Sequence, residues 1–124
     1  MLDGTWQGWY RYNPGLSGWL HTLLAWRSQH PFTLDLETNE QSFSGTVRDQ
    51  KVWGGLLPSS ATVRGLWDAA SGEMHFVKHY EQGGTPDIYY EGRVSGDYMG
   101  GHWRLRGKEG VVAGSWEARR MRPT

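Results

Sequence analysis

The chain contains no cysteine, so neither a disulfide nor a thiolate metal site can form. It has no surplus of one charge, because thirteen Lys and Arg offset thirteen Asp and Glu. Nucleic acids and anionic membranes are bound through a net basic face, so neither is expected as the main partner. No apolar run approaches the roughly 20 residues of a membrane-spanning helix. The opening residues, "MLDGTWQG", lack the basic-then-apolar pattern of a secretory signal. No linker or fixed-period repeat divides the 124 residues. These absences predict one soluble, cytoplasmic domain over residues 1–124, large enough for a core without staples.

Glycine and tryptophan are plentiful, at 18 and eight residues. Glycine at about twice its usual share, without low complexity, suits a sharply curved sheet. Tryptophans suit strands and a ligand cavity equally. Eight stretches alternate or are rich in β-formers between turn residues: 5–12, 32–38, 42–49, 61–68, 73–80, 87–94, 98–106 and 111–120. In the second, Phe32, Leu34 and Leu36 face one way and Thr33, Asp35 and Glu37 the other.

Connection lengths alternate. "NEQ", "AASG" and "SGD" join strands 2 to 3, 4 to 5 and 6 to 7 as tight hairpin turns. The other connections are longer, the longest being "NPGLSGWLHTLLAWRSQHP". In an up-and-down order the tight turns and both termini share one end, and the long connections share the other. The expected fold is all-β: an eight-stranded antiparallel up-and-down barrel, shut at the turn end. A helical insertion between strands 1 and 2 is also expected. Pro14 and Pro31 bracket it, Ser17 can cap it, and Trp19, Leu23 and Trp26 recur at i, i+4 and i+7. It is read as a lid over about 16–30, with Val52, Trp53, Leu56 and Leu57 at the same end.

Hairpin registers sort inside from outside. A Gly96-Asp97 turn sets Tyr90 beside Trp103 and Val94 beside Met99. The last hairpin sets Leu105 beside Val112 and Met99 beside Ala118. Glu91, His102 and Arg104 then lie outside, and an inward Trp6 carries Gly8, Tyr10 and Tyr12 with it. Strand 73–80 stays open. Hydrophobicity turns Met74, Phe76, Lys78 and Tyr80 inward, whereas the simplest register with the next strand turns His75, Val77 and His79 inward, and a bulge would reconcile the two.

"GTW" at Gly4-Thr5-Trp6 resembles the lipocalin G-x-W at the start of the first strand. Arg119 or Arg120 resembles the arginine that packs on that tryptophan at the barrel base. The stretch 92–120 is similar to the terminal hairpins of uncharacterised bacterial lipocalin-like domains. The chain thus resembles the calycin superfamily, the lipocalins, fatty-acid-binding proteins and avidins. That resemblance implies a closed barrel holding a small ligand and leaves the ligand unnamed. The polar set with which an avidin contacts biotin has no counterpart here. A haem barrel's axial histidine near the C-terminus is also missing, because the last histidine is His102.

The expected function is binding of a small hydrophobic or aromatic molecule beneath the lid. Tyr10, Tyr12, Trp19, Leu23, Trp26, Phe32, Leu34, Trp53, Tyr90, Trp103 and Leu105 are the expected contacts. An alternative is an isomerase, cyclase or lyase using Lys78, His79, Tyr80 or Tyr90 as acid or base. A third is a protein-interaction module, a homodimer included, docking through the Trp19/Leu23/Trp26 face. No cofactor and no metal is expected. His21 and His30 do not share a helical face, and neither a zinc-protease motif, a phosphate loop nor a nucleophile elbow occurs.

Overall fold

The computed structural model describes residues 2–13, 30–49, 60–81, 86–107 and 110–122. Their regular elements are eight strands: β1 (Gly4–Tyr12), β2 (His30–Asn39), β3 (Ser42–Asp49), β4 (Ser60–Trp67), β5 (Glu73–Tyr80), β6 (Ile88–Ser95), β7 (Tyr98–Gly107) and β8 (Gly110–Arg120). Each pairs antiparallel with the next, and β1 pairs with β8, from Trp6 opposite Arg120 to Tyr12 opposite Gly114, which closes the barrel.

Side-chain alternation decides which face points in. Phe32, Leu34 and Leu36 on β2 are buried, as are Phe43 and Val47 on β3, Ala61 and Val63 on β4, and Met99 and Trp103 on β7. The expected pairs Tyr90–Trp103, Val94–Met99, Leu105–Val112 and Met99–Ala118 all form. On β5, Met74, Phe76 and Lys78 are buried while His75 and His79 are exposed. Phe76 lies opposite Tyr90 and Lys78 opposite Ile88 in an uninterrupted register, so no bulge is needed.

Two glycines show how large rings fit inside so small a barrel. A Cβ built on Gly65 would meet Phe76 Cβ at 2.5 Å and the Phe43 ring at 2.7 Å. One on Gly114 would meet the Trp103 indole at 2.6 Å. Aromatic side chains thus press against bare backbone, the close approach that only glycine permits. Their indole N–H groups also find partners. Trp103 Nε1 donates to the Arg11 and Ser115 carbonyl oxygens at 3.1 and 3.2 Å, Trp116 Nε1 to Glu91 O at 3.1 Å, and Trp6 Nε1 to Leu2 O at 3.0 Å.

The turn end is tied together around its circumference. The Trp67 N–H donates to Gln41 O in the β2–β3 turn, Val94 N–H to Gly72 O in the β4–β5 turn, and Arg120 N–H to Asp97 O in the β6–β7 turn. Leu2 N–H donates to Thr38 Oγ1, and Thr38 N–H to Asp3 Oδ1. Arg120 lies over the Trp6 ring at 4.5 Å and donates through Nε to Asp97 Oδ1 at 3.0 Å and through Nη1 to Asp3 O. Of the two arginines considered for this role, Arg120 takes it; Arg119 instead lies near the Tyr98 ring.

The helical insertion is corrected. Among the described residues every regular element is a strand and no helix occurs. The segment proposed as helix, 16–30, lies outside them except for His30, which begins β2. Apolar recurrence at Trp19, Leu23 and Trp26 is weak ground for a helix, because an isolated helix of about 12–15 residues is marginal in water without a packed face. The described residues form an all-β closed barrel, and no helix among them is long and apolar enough to cross a membrane.

Candidate functional site

Inward side chains divide along the barrel axis. From mid-barrel to the turn end, Trp6, Phe43, Phe76, Tyr90, Met99 and Trp116 are buried, and the rings of Phe43, Phe76, Tyr90 and Trp116 pack on one another. Phe76 and Tyr90 stack at 4.6 Å with 7° between planes, and Trp116 meets both edge-on. Offset and edge-to-face contacts each add about 0.5–1.5 kcal/mol to area burial.

Toward the long-connection end the lining changes character. Tyr10, Tyr12, His30, Tyr80, Ile88 and Leu105 are half-buried there. Tyr10 stacks on His30 at 4.8 Å, and Tyr12 meets His30 at 5.5 Å and Trp103 at 5.1 Å, both edge-on. Beneath them sits Lys78, 2% exposed and the buried charged residue of the described set. Its Nζ lies 4.8 Å from the centre of the Tyr80 ring and 5.8 Å from that of Tyr10. Aromatic faces carry negative potential and hold a cation when it is withdrawn from water.

The expected contact residues therefore separate. Tyr10, Tyr12 and Leu105 line the long-connection end. Phe32, Leu34, Tyr90 and Trp103 are packed into the core. Trp19, Leu23, Trp26 and Trp53 lie outside the described residues. Of the four acid–base candidates, Lys78 and Tyr80 come together inside. Tyr90 stacks under Phe76 in the core, and His79 points outward, its Nδ1 2.6 Å from Asp87 Oδ1. The interaction module required an apolar helix, and none is present among the described residues. His30 is the member that sequence reasoning missed. It stands two positions before Phe32, so strand alternation already placed it on the inner face once β2 is begun at residue 30.

The outer wall carries a shallow groove of about 1270 Å³ over β5–β7, where His75, Glu91 and His102 lie in one cross-strand row. Lys78, Tyr10, Tyr12 and Tyr80 do not line it. Among the described residues no three His, Cys, Asp or Glu side chains are placed to hold a metal ion.

An eight-stranded antiparallel closed barrel with an arginine over the first tryptophan is consistent with a calycin-like fold. No protein-family model and no curated protein matches this chain.

Proposed function

We propose that the barrel binds a small hydrophobic or aromatic molecule at its long-connection end, against Tyr10, Tyr12, Tyr80, Ile88 and Leu105. The observation that carries this reading is the change of lining along the axis, from closely packed apolar rings to half-buried tyrosines. Tyrosine combines a flat apolar face with a hydroxyl, the combination that holds a planar ligand and orients it with few hydrogen bonds. Core side chains such as Trp103 act as the wall behind the ligand, because an indole bonded to two backbone carbonyls is already fixed.

Thermal-shift and native mass spectrometry against a library of aromatic and lipid-like compounds test this. The expected result is a one-to-one complex that Tyr12→Ala with Tyr80→Ala weakens at least about tenfold while the fold is kept. Absence of any complex, or affinity indifferent to both substitutions, overturns the proposal. An acid–base enzyme using the same end is a second reading, favoured by the approach of Lys78 Nζ to the Tyr80 ring. It predicts turnover that Tyr80→Phe removes without loss of binding.

A further inference from the structure

We infer that Lys78 forms a reversible imine with a hydrophobic aldehyde bound at the long-connection end. The inference rests on the binding reading above and narrows the ligand to a carbonyl class. Three features of the barrel support it. Lys78 projects into the barrel and is almost wholly withdrawn from water. Lysines that act as amine nucleophiles are commonly desolvated in this way. Rings line its approach on two sides, from Tyr10 and Tyr80. Finally, the half-buried side chains above it, Tyr12, Ile88 and Leu105, present apolar surface suited to an aromatic or polyunsaturated tail.

The step balances without an oxidant or reductant. The amine lone pair, freed as one proton leaves, attacks the aldehyde carbon to give a carbinolamine. The carbonyl oxygen takes up one proton from the nitrogen as the carbinolamine forms, then the proton released at the start, and departs as water. Ammonium and aldehyde thus become a protonated imine and water, with one positive charge on Nζ before and after. The ring faces that hold the ammonium can hold the iminium equally well, so the product leaves the charge of the site unchanged. Exclusion of bulk water slows the reverse hydrolysis.

The full chain is incubated with 2-naphthaldehyde, reduced with cyanoborohydride and mapped by peptide mass spectrometry. Binding of 2-naphthalenemethanol, which cannot form an imine, is followed in parallel by tryptophan fluorescence. Labelling of Lys78 should exceed that of Lys51, Lys108 and the N-terminal amine by at least about tenfold at neutral pH. It should be suppressed by excess alcohol and absent in Lys78→Arg and Lys78→Met. Labelling spread over the other amines, with the alcohol still bound, overturns the imine and leaves the binding reading standing. Failure of both compounds to bind overturns both. Mapping on the unsubstituted chain decides the matter even if neither variant folds.

Discussion

The two ends of the barrel are built from the same alternating strands and do different work. At the turn end, Leu2, Trp6 and Met99 are wholly buried, and each hairpin turn is hydrogen-bonded to a neighbouring strand. Arg120 sits over Trp6 and reaches both Asp3 and Asp97. At the other end, half-buried tyrosines and His30 surround a buried lysine. The first arrangement withdraws the inward apolar side chains from water and suits stability. The second places tyrosine rings with their hydroxyls around a buried ammonium. Under the binding proposal, one half holds the fold and the other recognises the ligand.

Substitutions can break that contrast in order of size. Trp6→Ala should cost most, about 4 kcal/mol, through the cavity left in the sealed end, read from urea unfolding. Gly65→Val should cost about 3 kcal/mol, because its side chain meets Phe43 and Phe76 with no room to yield. Arg120→Ala should cost about 2 kcal/mol by removing the stack on Trp6 and the bonds to Asp97 and Asp3. Tyr12→Ala should be mildest, about 1 kcal/mol, while weakening ligand binding most. A Tyr12 variant as damaging to stability as the Trp6 variant would show that the two ends are not divided in this way.

Acid sharpens the same comparison. Asp97 is held below its ordinary pKa of 3.8, first by the Arg122 hydrogen bond; burial opposes this, and the charge of Arg122 and the Arg120 hydrogen bond add to the lowering. A carboxyl depressed on folding binds fewer protons in the folded state than in the unfolded one. Its contribution is therefore present above pH 3.8 and lost as pH falls through the lower folded value. The chain and its Asp97→Asn variant should differ in stability near neutrality and converge below that pH, as measured by urea titration across a pH series.

Much of the barrel was legible because period-two alternation fixes both the face and the register wherever a tight turn intervenes. Gly96 and Asp97 set the β6–β7 pairing, and every expected pair in that hairpin forms. The β5 face was harder, because the longer connection at 81–87 leaves the pairing parity of β5 and β6 undetermined. Apolarity of Met74 and Phe76 was the better guide, and it carried Lys78 inward with them. Trp6 and the final arginines were legible as a pair, though only the structure chose Arg120. The helical insertion is not among the described elements, and its segment lies outside them; spacing of apolar residues measures a tendency and says nothing of the tertiary support a helix needs. The site was legible in its tyrosines and less so in its division. Trp103 and Tyr90 share parity with Tyr10 and Tyr12, and alternation alone cannot tell a packed wall from a half-exposed rim.

Closure of β1 onto β8 has one more consequence. A sheet with no first or last strand offers no unpaired row of peptide groups on which another chain could extend it. Recruitment by strand addition, and the runaway stacking that begins the same way, are both denied along the wall. Whatever meets this wall must recognise its side chains.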